Sequence, residues 1–449
     1  MIDLKRSSEA CCLPPSAAPD RRSCRIADAD REMPFYIGLE YTPPARGTWT
    51  IAHTPMLIPG AHMIFVCPEC CLRGVVLSAE EDGGLDRFSM VTVEEQDVIG
   101  DQMESLFVEG VTDVLHKLPA LPPLVMIYTS CIHHFLAVDL DLIFSELERR
   151  FPGVDFVRAY MNCTMRKTRL NYEEVQWRQN YAALKPAEKD PKRVNFVGNY
   201  YALRRGSEPV RMLEDAGYTV GDLCRTRTYE EYQELAKASL NIYNWPVAKE
   251  CARSLNARLG QEPFYLPYSW DGDEIEASLR ALAEKTGAPM PDLASLREEA
   301  ERALDEARKK TDGMEVRIDA VGTPRPLGLA RLLLSHGFDV TTVYTDAILP
   351  GDEDAAAWLK EHDPDLTLCS MTHHRSRYMD RNEEGKRILA IGQRAAYFSG
   401  TENFVDLVAN SGLIGYTGIR ELAEQIGDAA SAPKDTRRLI QIKAKGCRP

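Results

Sequence analysis

Four cysteines carry the chemistry that residue type and spacing make available in this chain. Cys67, Cys70 and Cys71 stand in Cys67-Pro-Glu-Cys-Cys71 after the apolar run ending at Val66, and Cys131 stands in Thr129-Ser-Cys-Ile-His-His134 after Leu124–Thr129. Two short apolar runs of this kind read as buried parallel strands, and loops at the carboxyl ends of such strands are where α/β sheets place their sites. Thiolates gathered there from distant loops form a ligand set for an iron–sulfur cluster or for zinc. Together Cys67, Cys70, Cys71 and Cys131 offer four ligands from one chain. Cys-x-x-Cys suits tetrahedral zinc, but a zinc ribbon presents a second such pair, which this sequence lacks. Spacing alone leaves zinc and iron–sulfur open. Cys224, Cys251 and Cys369 are embedded in strand or helix patterns and read as small hydrophobes.

Two histidine pairs stand near strand ends. His133 and His134 follow Cys131 and can donate hydrogen bonds to sulfur or relay protons, or else cap a helix and fill a core. His373 and His374 follow the strand pattern Asp365–Ser370 and are candidate proton donors, against a solvated loop pair. The loops Asn199-Tyr-Tyr201 and Gly322-Thr-Pro324 also follow strand patterns. Neither Gly-x-Gly-x-x-Gly nor a phosphate-loop lysine motif occurs, so no nucleotide is expected on this chain.

Positioning these loops requires alternating strands and helices, and the sequence supplies them. His62–Cys67, Phe88–Val93, Leu124–Thr129 and Val154–Tyr160 read as strands, with helices over Cys71–Glu80, Glu94–Lys117 and Phe135–Arg150 between them. Arg193–Gly198 and Glu315–Gly322 open two further units. Pro209–Val220 lines up with Leu329–Val340, each a helix closed by glycine and followed by a strand, which marks duplicated βαβ units. The expected fold is α/β, three doubly wound parallel-sheet domains of Rossmann-like type with linker helices. The divisions are an N-terminal arm (1–32), a cysteine-bearing domain (33–165), a linker (166–189), a second domain (190–288), a linker helix (289–313), a third domain (314–430) and a tail (431–449).

Composition narrows the function classes. The 449 residues carry a formal net charge of -14, which works against nucleic acid as the main partner because phosphate binding needs a basic face. No apolar run approaches membrane-spanning length and no export signal is read at the start, so a cytoplasmic location is expected. Twelve cysteines in a reducing compartment stay thiols or bind metal.

Ile58-Pro-Gly-Ala-His62, Cys71-Leu-Arg-Gly-Val-Val76 and Thr129-Ser-Cys131 with Asp139-Leu-Asp141 resemble the first domain of the nitrogenase component 1 superfamily. That group includes the nitrogenase molybdenum–iron subunits and the nitrogenase-like tetrapyrrole reductases. The resemblance runs from about Gly47 to Gln425. It implies that Cys71 and Cys131 match two cysteines of the interfacial cluster. A third family cysteine has no counterpart between Ile26 and Val66, so the resemblance points to a [4Fe-4S] cluster with two cysteines from each of two subunits, unless Cys67 or Cys70 substitutes. The family's molybdenum-cofactor cysteine falls near Asn244 and its histidine at Ile414, so dinitrogen reduction is not expected. What the resemblance implies instead is an enzyme, the catalytic component of a two-component oxidoreductase. Its donor would be an ATP-dependent iron protein, its assembly a homodimer or a heterodimer with a homologous subunit, and its substrate a small organic molecule. A scaffold for metallocofactor assembly and a zinc-stabilised binding protein are the alternatives.

Overall fold

The computed structural model describes residues 21–29, 32–35, 40–43, 50–81, 83–100, 102–162, 172–379, 381 and 385–435. Its first strand, β1 (Ser23–Arg25), pairs antiparallel with residues 367–369 far downstream. This stretch was expected within the N-terminal arm. It is folded instead: Ile26 is fully buried and its N–H donates to the Leu366 carbonyl at 2.8 Å.

Four parallel strands form the first sheet: β2 (His62–Cys67), β3 (Phe88–Thr92), β4 (Leu124–Ser130) and β5 (Asp155–Met161), in the order β3-β2-β4-β5. Every residue of β2 and β4 is buried, as near-continuous apolar runs must be when helices cover both faces of a sheet. Alternate side chains serve two cores. Met63, Phe65 and Cys67 join one, and Ile64 and Val66 the other. Phe65 stacks on its register partner Tyr128 with ring centroids 4.4 Å apart, tying the two central strands together.

The second sheet has β6 (Asp190–Val197), β7 (Thr219–Asp222), β8 (Ala238–Tyr243) and β9 (Glu262–Tyr265) in the order β7-β6-β8-β9. The third has β10 (Glu315–Asp319), β11 (Asp339–Tyr344), β12 (Thr367–Cys369), β13 (Ile388–Ile391) and β14 (Phe404–Val405). Their order is β12-β11-β10-β13-β14, with β1 added outside β12. All three sheets share one winding: the chain leaves the first strand to one side, then crosses back to the other. A crevice opens where that reversal occurs, between β2 and β4, β6 and β8, and β10 and β13.

The internal duplication is visible in this winding. Helices Glu208–Asp215 and Pro326–Ser335 connect β6 to β7 and β10 to β11. Each gives way to its strand through a left-handed glycine, Gly217 at φ 77° and Gly337 at φ 74°. Helix Leu293–Lys310, capped by Asp292, buries Ala300, Leu304 and Ala307 and packs on helix Gly415–Ser431.

Two expected helices are each divided. Glu94–Lys117 becomes Glu95–Ile99 and Met103–Lys117, broken at Gly100. Phe135–Arg150 becomes Cys131–Phe135 and Leu140–Arg150, broken where Ala137 takes φ 51° and the Asp139 carboxylate accepts the Leu142 N–H at 3.0 Å. No described helix is long and apolar enough to cross a membrane. One core runs from Phe65 through Phe196 to Phe404, so all three sheets contribute to it.

Candidate functional site

The reversal between β2 and β4 brings the cysteine loops together. Val66 is in register with Thr129, so the chain turns out of the sheet at Cys67 on one side and at Ser130 on the other. Cys67 is the last residue of β2 and fully buried. Pro68 then redirects the backbone into a single turn, Glu69–Cys71, closed by the Cys71 N–H donating to the Pro68 carbonyl at 3.0 Å. Cys70 and Cys71 are exposed, and Cys131, first residue of the helix after β4, is half-buried.

These thiols are not equivalent. Burial pushes the Cys67 thiol up to about 12, and the neighbouring Cys71 and Cys70 push it in the same direction. Cys67 is therefore a buried neutral S–H, whereas Cys70 and Cys71 are exposed and Cys131 is half-buried. Among the described residues, no three His, Cys, Asp or Glu side chains converge on one point. The donor set is soft and all-sulfur, which fits a cluster, and among the described residues it does not converge into a closed site. The rim is apolar. Phe135, one turn after Cys131, is 74% exposed, and Leu136 and Leu142 further along are exposed too.

His133 is a cap. It is buried, its Nδ1 accepts the Ser130 backbone N–H at 3.2 Å, and its ring meets Phe107 edge-on at 5.5 Å. Burial pushes its pKa down to about 4, so the ring is neutral near pH 7. His134 is exposed and lies 5.5 Å from the Tyr160 ring. His373 and His374 belong to the third sheet, at the end of β12. There the two rings stack at 4.4 Å and His373 Nδ1 accepts the Arg375 N–H at 3.2 Å.

The other two crevices are closed by their own side chains. Between β6 and β8, Asn199 Nδ2 donates to Asn244 Oδ1 at 3.2 Å and Asn244 Nδ2 to the Leu266 carbonyl at 2.6 Å. Tyr268 O–H donates to Asn199 Oδ1 at 3.3 Å, and Cys224 S–H to the Asn199 carbonyl at 3.1 Å. Between β10 and β13, buried Asp319 accepts the N–H groups of Val321, Gly322 and Ala395 at 2.9, 2.7 and 2.7 Å. Thr323, in the loop beyond Gly322, accepts the Trp270 indole N–H at 3.1 Å. Asp352 takes the N–H groups of Leu327 and Gly328 at 2.8 and 3.0 Å, at the start of helix Pro326–Ser335. Glu208 takes that of Thr417, in helix Gly415–Ser431, at 2.8 Å. Carboxylates of this chain thus occupy helix starts that an anionic ligand would use.

One strand-end residue escaped the sequence reading. Arg394 follows β13 through Gly392 and Gln393, just as the cysteines follow β2 and β4. The same rule, a charged residue beyond a short apolar run, would have found it.

A family model of nitrogenase component 1 type oxidoreductases matches residues 53–430. Among solved structures, one described as nitrogenase Cp1 at pH 6.5 is 14% identical with a TM-score of 0.60, covering 88% of this chain and 94% of its own. Another, nitrogenase Cp1 at pH 5, is 15% identical with a TM-score of 0.57, covering 91% and 94%. These likenesses show the shared fold. No curated protein matches in sequence. The chain belongs to the nitrogenase component 1 type oxidoreductases.

Proposed function

We propose that this chain is the catalytic component of a two-component reductase, receiving electrons from an ATP-dependent iron protein and delivering them to a small organic substrate in the cytoplasm. Cys71 and Cys131 would hold a [4Fe-4S] cluster together with the same two residues of a second component 1 subunit, identical or homologous. When bound, such a cluster supplies one-electron storage at a potential set by its surroundings.

The observation that carries this reading is the placement of accessible thiols on both sides of the first sheet's reversal point, with no group of three possible metal donors converging among the described residues. Two-fold pairing supplies the missing half. The exposed apolar side chains around Phe135 give a second subunit something to cover. Cys67 precedes the turn as a buried neutral thiol, and His133 fixes the first turn of the helix that carries Cys131.

Anaerobic purification followed by iron and sulfide analysis tests the cluster. About four irons per dimer with matching sulfide are expected; stoichiometric zinc without sulfide would rule the reading out. Cluster reduction is then followed with a reduced iron protein, with and without ATP. Rapid turnover with a simple ferredoxin and no ATP would remove the two-component part.

A further inference from the structure

One turn of the chain is wound left-handed. Between β14 and helix Gly415–Ser431, the turn Ala409–Gly412 holds four successive residues at positive φ: Ala409 at 49°, Asn410 at 58°, Ser411 at 47° and Gly412 at 80°. Glycine adopts this region freely and asparagine tolerates it, but in alanine and serine the Cβ crowds the following carbonyl. The turn carries a second cost. Asn410 is buried, and its Oδ1 is enclosed with no hydrogen-bond donor among the described residues.

Strain of this kind persists only where the surroundings over-determine it, and it collects at clamps and switches. Here the surroundings are the mouths of the two closed crevices. On one side the N–H groups of Ala409 and Asn410 donate to the carbonyls of Val321 and Gly322, each at 2.8 Å, and so fix the loop beyond β10. On the other the Gly412 carbonyl accepts the Arg204 N–H at 3.0 Å and fixes the loop that leaves β6. The approach is close. A Cβ on Gly412 would stand 2.1 Å from the Ala202 carbonyl oxygen, and one on Gly415 would stand 2.2 Å from Glu208 Oε2. Loop residues of the second unit therefore grip the segment at two points, while the third unit grips it at Val321 and Gly322.

Two discrete arrangements follow from this bonding. In the strained one, all three backbone bonds between the turn and the two mouths are made. Breaking them lets Ala409 and Ser411 return to negative φ, so strain relief offsets part of the cost of opening. The loops beyond β6 and β10 come free together, because a single turn holds both.

We propose that the turn Ala409–Gly412 is a sprung latch that closes the mouths of the second and third crevices together and opens them in one event. It goes beyond the reductase reading and stands without it. The full-length protein, purified anaerobically, is followed by hydrogen exchange and mass spectrometry with electron-transfer fragmentation. The amides of Ala409, Asn410 and Arg204 are the reporters, and those of β6 and β10 the reference for global unfolding. The three reporters are expected to exchange at a common opening rate, about tenfold or more above the reference amides. Ala409→Gly removes a strained Cβ and leaves every backbone bond in place; it should slow all three reporters about threefold or more. Gly412→Ala, through its collision with Ala202, should speed them. Unchanged or faster exchange in Ala409→Gly would overturn the latch, as would reporters that exchange only with the reference strands, or an Arg204 amide that does not follow those of Ala409 and Asn410. Should Gly412→Ala not fold, the wild type and Ala409→Gly still decide.

Discussion

The first and second sheets have the same strand order and the same reversal point, yet they treat their strand-end residues in opposite ways. Beyond β2 and β4, Cys70 and Cys71 are exposed and Cys131 is half-buried. Beyond β6 and β8, Asn199, Asn244 and Tyr268 turn inward and bond to one another. The winding thus creates a crevice without deciding its use. Residues at the mouth decide, soft and accessible in one case, mutually satisfied amides in the other.

The sharpest way to break this comparison is to empty the open crevice. Cys71→Ala and Cys131→Ala are each expected to abolish iron binding, whereas Cys224→Ala and Cys369→Ala leave iron and sulfide unchanged because those thiols belong to the second and third sheets' units, away from the first sheet's reversal point. Iron retained in both first-sheet variants would show that the thiols there are not the ligands.

A closed crevice should respond in stability instead. Gly392 has φ 105°, and a Cβ there would collide with the Asp319 carboxylate. Gly392→Ala should cost about 3 kcal/mol or more, measured by urea denaturation. Asn244→Ala orphans Asn199 Nδ2 and the Leu266 carbonyl, and should cost about 1–3 kcal/mol while iron content stays the same. If either variant lost iron at wild-type stability, the division between open and closed crevices would be wrong.

The smallest effect is a pH slope. Burial pushes Asp352 up to about 7 from the ordinary carboxylate range, against the two N–H groups it accepts. A raised carboxylate contributes stability that is complete below about pH 4 and lost as pH rises through about 7. Comparing Asp352→Asn with wild type over pH 4–8 should remove a slope of at most about 1.4 kcal/mol per pH unit. A slope of the opposite sign would mean that the carboxylate is stabilised where it lies.

Much of this was legible in the sequence, for stated reasons. β2 and β4 were readable because strands buried on both faces must be apolar at every position. The glycine-closed helices Glu208–Asp215 and Pro326–Ser335 were readable because a helix ending in left-handed glycine repeats as a pattern. The break at Ala137 was not, since nothing in an alanine announces a positive φ; the surrounding chain imposes it. The capping role of His133 was foreseen only as one of two alternatives, because cap and sulfur partner need the same residue at the same place. Three residues are too short a run to identify β1 among the charges around it.

The pairing of β1 with β12 also imposes an order on biosynthesis. Arg25 is joined to Thr367, 342 residues further along (367 − 25), so β1 has no partner until residues 367–369 have been made. At about 5–20 residues per second, the N-terminal strand waits roughly 20–70 s for its partner while the first two sheets have time to form. The third sheet is therefore completed only when β12 has been made, by a strand that preceded it by hundreds of residues.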